Sequence, residues 1–120
     1  MELKEKLLAI KKVLELEVTR DCMDDVQDKL IQLTALYSLS AETIAEATKK
    51  LHLKELQVLQ ELNNKGMQAS IISKQLNAEC FEERAIYDYA DRLNSGISHT
   101  CDALRTIISL YRAEIENTLK

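Results

Sequence analysis

The chain has 120 residues, of which 46% are hydrophobic, 30% charged and 4% aromatic, with a net charge of −4. That length fits a single domain, residues 1–120, and the five aromatics (Tyr37, Phe81, Tyr87, Tyr89 and Tyr111) leave little material for a large aromatic ligand pocket. Proline is absent and glycine occurs only at Gly66 and Gly96, so the residues that break helices are almost excluded and an all-α fold is expected, with little loop to carry catalytic groups.

The first predicted helix covers residues 2–18. Leu3, Leu7, Ile10, Leu14 and Val18 recur at three- or four-residue steps and form one face. The Thr19-Arg20-Asp21 stretch is the first break, where Thr19 or Asp21 is placed to cap the next helix. A second helix is predicted over residues 22–63, with a stripe of Leu30, Leu33, Tyr37, Ile44, Ala47, Leu51, Val58 and Leu62. Ser40 is a competing N-cap, with Leu39 and Ile44 as its staple, but the stripe keeps phase through Ser38–Ser40 and favours one continuous helix. Gly66 is the clearest stop, since glycine readily takes the left-handed conformation that closes a helix.

A short helix follows near residues 69–75, carrying Ile71, Ile72 and Leu76. Asn77 then reads as an N-cap with Leu76 and Phe81 at staple positions, opening a last helix over residues 78–118. Its stripe is Ile86, Ala90, Leu93, Ile97, Leu104, Ile108, Tyr111, Ile115 and Leu119. Two long helices joined by a compact turn bury their stripes by lying antiparallel. The expected architecture is therefore a long antiparallel helical hairpin, bundle-like, with an N-terminal helix and a short connecting helix. A second apolar strip on helix two, Ile31, Ala35, Leu53 and Leu56, does not fit a lone hairpin. Helix one or another subunit would have to cover it, which makes a homo-oligomer the expected state.

No run of about 18 apolar residues is present, so no membrane span is expected. The opening MELKEKLLAIKK does not read as a signal peptide. Three cysteines, an odd number, fit a reducing cytoplasm. Cys80 and Cys101, both on the predicted last helix, are too far apart along it to bridge each other.

Candidate chemistry is sparse. Asp21, Asp24, Asp25 and Asp28 share a helix face, but without a Glu-x-x-His they read as a solvated first turn, and no metal is expected. His99 and Cys101 are two residues apart and so point in different directions on a helix. Cys80, in the first turn of the predicted last helix, is a spot where the helix dipole would lower a thiol pKa, yet no base stands beside it. His52 reads as a surface residue among lysines. No catalytic residue and no cofactor are assigned, and the chain reads as non-enzymatic.

Charge is uneven. Residues 49–77 carry five lysines (Lys49, Lys50, Lys54, Lys65 and Lys74) against Glu55 and Glu61, whereas the rest of the chain is neutral or acidic. An acidic total does not favour nucleic-acid binding, so any phosphate contact is expected at these five lysines, without base specificity. No aromatic residue is interleaved with them to stack on bases. Arg84, Arg92, Arg105 and Arg112 are mixed with carboxylates, as on a solvated face.

Three segments carry a family resemblance: Ala45-Glu46-Ala47 with Lys54 to Leu62 and the Lys65-Gly66 turn, Asn77 to Ala85, and Ile97 to Ser109. Their order resembles small all-helical proteins encoded by tailed phages and prophages. The layout of those proteins is in turn similar to the recombination-mediator proteins of some large phages. The resemblance implies binding of single-stranded DNA, assembly into rings and help in loading a recombinase. The leading expectation is thus an oligomeric, cytoplasmic accessory or scaffold protein of phage or mobile-element origin, acting in DNA recombination or replication. Its partners would be single-stranded nucleic acid or a recombination or replication protein. The alternative is a helical protein–protein interaction module, a small regulator, without nucleic-acid contact.

Overall fold

A computed structural model describes residues 2–119 and contains five helices, with no strand among the described residues. These are α1 (Leu3–Leu14), α2 (Met23–Ala35), α3 (Tyr37–Asn64), α4 (Ala69–Glu79) and α5 (Phe81–Leu119). The class is all-α, as expected. The chain is also extended: its dimensions are 77 × 29 × 19 Å and its radius of gyration is 21.0 Å, against about 14 Å for a compact chain of this length.

Helix α1 buries Leu3, Leu7 and Ile10 but stops at Leu14, short of the predicted Val18. The reason lies on α2. The Lys29 ammonium donates to the carbonyls of Leu14 at 3.0 Å and Leu16 at 2.6 Å. Those acceptors would have served amides further along a longer helix, so the lysine replaces the missing turn. Neither Thr19 nor Asp21 caps α2. The N-cap is Cys22, with no side-chain hydrogen bond, and Asp24 and Asp25 supply the negative charge that favours a helix start.

The predicted second helix is interrupted, at Leu36 alone. Leu36 keeps right-handed angles (φ −85°, ψ −5°) while its amide bonds Leu33 in a tighter i→i−3 turn at 3.0 Å. Beside it, the Thr34 hydroxyl donates to the Leu30 carbonyl at 2.7 Å, a back-bond that commonly bends helices. Because no loop intervenes, the apolar phase survives the break. Ser38–Ser40 lie inside α3, and Ser40 is no cap: it is fully buried and donates to Asn94 Oδ1 on α5 at 2.9 Å.

Gly66 closes α3 with φ +68°, as its position predicts. The next boundary differs from the expectation. Helix α4 runs on through Asn77 to Glu79, the break falls at Cys80, and Phe81 opens α5. Ile72, Leu76 and Cys80 recur every four residues and pack on the tip of α3, against Leu51, Val58 and Leu62. Ending α4 at Gln75 would have sacrificed that face. Asn77 lies inside α4 and so caps no helix, and Phe81 is too exposed to form the staple.

The Glu55–Arg84 pair at 3.8 Å and the Ser40–Asn94 bond show that α3 and α5 run antiparallel. Helix α1 lies antiparallel to α2 and α3, through Lys6–Glu46 at 3.3 Å and the Lys29 cap, and parallel to α5. The middle of the molecule is thus a three-helix bundle around Ile10, Val26, Leu33, Ala90, Ile97 and Cys101. One end is the α3–α4–α5 hairpin tip, whose smaller core is joined to the main one by half-buried Tyr87. At the other end α5 extends past the other described helices.

Candidate interaction surfaces

The five lysines all lie in the half of the molecule that ends at the Gly66 turn. Lys49, Lys50, Lys65 and Lys74 are exposed, and Lys54 is half-buried. They do not stand unopposed. Lys50 pairs with Glu46 at 3.5 Å, and Glu46 also accepts from Lys6 at 3.3 Å. The Lys6 hydrogen bond, then the Lys6 and Lys50 charges, hold the Glu46 carboxyl below its usual range. The start of α5 brings Glu82 and Glu83 to the same end. Glu83 lines a shallow depression with Lys50, Leu53, Lys54 and Gln57, where its Oε2 is buried without a hydrogen-bond partner. Glu46 beside Lys50, and Glu83 beside Lys50 and Lys54, thus oppose part of the basic zone that the linear sequence isolates. Phe81, 71% exposed, lies apart from these lysines, in a depression lined by Arg84, Asp88, Tyr89 and Arg92.

The second apolar strip is exposed throughout: Ile31 is 66%, Leu53 57% and Leu56 53% accessible, and Ala35 is open as well. Helix α1 does not cover it, because α1 packs along the flank marked by Lys6–Glu46. Nor is the strip continuous. Ala35 and Leu53 are separated by roughly 27 Å of helix rise, and exposed Glu42 and Lys49 lie on the line between them by helical phase.

The least anticipated surface is the end of α5. The stripe expected to form core along the whole helix is buried as far as Leu104 and half-buried at Ile107 and Ile108. Every residue from Ser109 to Leu119 is exposed. Tyr111, Ile115 and Leu119 continue the phase of Leu104 and Ile108, but α2 begins at Met23, level with Ile107 and Tyr111, where these residues line one depression. Beyond it no element among the described residues meets the stripe. Tyr111, Glu114, Ile115, Thr118 and Leu119 frame an open groove of about 280 Å³ along this tail. The stripe itself is visible in the sequence, but its want of a covering helix is not.

The remaining candidates lie apart. Cys80 and Cys101 are buried and Cys22 is exposed; all three thiols are free. At Cys80 the sequence position favoured a lowered pKa; instead burial, followed by the Glu55 and Glu83 charges, pushes the thiol up. His99 is exposed while Cys101 faces the core, and His52 is on the surface. Asp21, Asp24, Asp25 and Asp28 are exposed, and among the described residues no three His, Cys, Asp or Glu side chains converge on one point. Nor is any described helix long and apolar enough to cross a membrane.

No protein-family model, no curated protein and no solved structure matches this chain.

Proposed function

We propose that the protein is a non-enzymatic helical accessory protein that works by assembly, its contacts made by helix faces. The observation that carries this reading is the apolar stripe of α5, which outruns the bundle and leaves Tyr111, Ile115 and Leu119 in solvent. A contiguous apolar ridge of this kind marks an interaction surface. The outer face of α3, with Leu53 and Leu56, is a second apolar patch of the same character. A role in DNA recombination or replication, and a phage or mobile-element origin, are supported by the sequence resemblance alone. The test is molar mass in solution, by light scattering or sedimentation, as a function of concentration. A mass that rises above that of one chain is expected. A monomer throughout would replace this reading with a monomeric partner-binding module.

A second reading, weak binding of single-stranded nucleic acid, is favoured by exposed Phe81, which supplies a stacking surface beside Arg84 and Arg92, on a different face of the molecule from Lys50 and Lys54. Such binding should be insensitive to sequence and steeply weakened by salt, because each neutralised phosphate releases condensed counterion. Changing Lys49, Lys50 and Lys54 together to Gln should lower affinity for a labelled oligonucleotide and flatten the salt slope, with helicity unchanged. Failure of the wild type to bind at low salt would remove this reading.

A further inference from the structure

We infer that the outer face of α3 is the seam of a two-fold self-association, in which the α3 helices of two copies lie antiparallel with Glu42 of each against Lys49 of the other. The inference rests on the assembly reading above and names both its partner, a second copy of this chain, and the face that it uses.

The core face of α3 carries Ala47, Leu51, Val58 and Leu62. By helical phase the opposite side is one ridge of Ser38, Glu42, Ala45, Lys49, Leu53 and Leu56, which Ala35 extends at the end of α2. Every one of these residues is exposed, so no described element of the same copy covers the ridge. Glu42 and Lys49, which interrupt the apolar strip, are an acid and a base. The ridge is complementary to its own reverse about a point between Ala45 and Glu46. Glu42 and Lys49 stand equally far from that point, as do Ser38 and Leu53, and Ala35 and Leu56. A helix laid antiparallel about it sets acid level with base and each leucine level with a small side chain. Two-fold symmetry makes each of these contacts twice.

Charge selects this direction and this occupant. Neither Glu42 nor Lys49 joins any ion pair among the described residues. A parallel copy in register would set Glu42 against Glu42 and Lys49 against Lys49, whereas the antiparallel copy pairs both. Antiparallel helices also bring like flanks together, so the Glu46 carboxylates of the two copies meet beside the two-fold axis. Each is already held between Lys6 and Lys50, so every carboxylate there has two ammonium groups to neutralise it. The small side chain of Ala45 beside the axis lets the two helices approach closely. From Ala35 to Leu56 the seam rises about 32 Å. One pair of helices of that length is a small interface, so the association is concentration-dependent. The free end of α5 takes no part in it.

The experiment uses the full chain. Sedimentation from micromolar to high hundreds of micromolar concentration should show wild-type mass moving from one chain toward two. Leu56→Asp should abolish that rise. Glu42→Lys and Lys49→Glu should each weaken association on the order of tenfold, and the double charge reversal should restore it. An equal mixture of the two single variants should associate as well, since each supplies the charge that the other lacks. All these variants change exposed residues, and helicity measured by circular dichroism checks that they fold. Ile115→Asp, on the α5 tail, should leave the mass unchanged. A wild type that stays monomeric overturns both this inference and the assembly reading. A rise in mass that survives the α3 variants but is lost in Ile115→Asp overturns only the inference and moves the seam to α5. Single reversals that leave association unchanged, or that the double reversal does not rescue, overturn the antiparallel pairing.

Discussion

Lys29 sits three residues after Val26 and four before Leu33, on the face of α2 that points into the core, and is only 8% exposed. Its ammonium hydrogen-bonds two carbonyls at the end of α1, where the helix dipole is negative and acceptors lack partners. Replacing Lys29 by Ala should cost about 1–3 kcal/mol, the range for losing charge-assisted hydrogen bonds to partly buried acceptors. Chemical unfolding measures it, and Lys29→Arg should recover part of the loss. An unchanged midpoint in Lys29→Ala would mean that water caps α1 equally well. The residue could have been noticed in sequence as a lysine in phase with apolar neighbours; what it bonds to could not, because its partners lie more than ten positions away on another element. Gly66 is the opposite case. Its left-handed angle serves a local turn, and the local sequence Asn63-Asn64-Lys65-Gly66 announces it. Cys80 lies between the two: its nearness to a helix start was legible, while the break at Cys80 itself and its burial, which reverses the direction of its pKa shift, depend on packing against α3.

At the scale of elements, periodicity locates helices well and their ends poorly. The stripes of α3 and α5 are buried in the order expected through Leu62 and Leu104. The ends moved wherever a distant contact outweighed a local signal. Lys29 shortens α1, and the packing of Leu76 and Cys80 on α3 lengthens α4 past Asn77, whose capping tendency is worth only about 1 kcal/mol. Helix α5 carries Gly96 in its interior without a turn or positive φ to require it. A methyl group there would meet Leu14 Cδ1 at 3.5 Å, an ordinary contact. Gly96→Ala should therefore stabilise the protein by roughly 0.5–1 kcal/mol, from helix propensity and lowered unfolded-state entropy. Thermal unfolding monitored by circular dichroism checks it. A lower melting temperature would show that α1 and α5 approach each other too closely for a side chain.

For the molecule as a whole, the governing fact is unequal length. Helix α5 spans about 58 Å, whereas α1 covers less than a third of that distance and α2 starts after an eight-residue link, Glu15 to Cys22. The three-helix core therefore occupies only the middle, and the 77 Å long axis comes from what projects at either end. One projection, the Gly66 tip, closes on itself by folding α4 back onto α3. The other does not close, and its apolar ridge is the basis of the assembly proposed above. Charge is redistributed at the same scale. Of the lysines of residues 49–77, Lys50 and Lys54 have Glu83 of α5 laid beside them.

The sequence by itself determined the all-α class, the hairpin topology, the Gly66 turn and the identity of the core face on each long helix. Each of these is written in local terms: the exclusion of helix breakers, a 3.6-residue period, and a residue able to take positive φ. Only the tertiary structure decided where the helices end, which stretch of the α5 stripe finds a cover, and whether a run of lysines faces solvent alone or beside carboxylates. A periodic pattern states that a face wants burial; it cannot state whether another part of the chain is long enough to reach it.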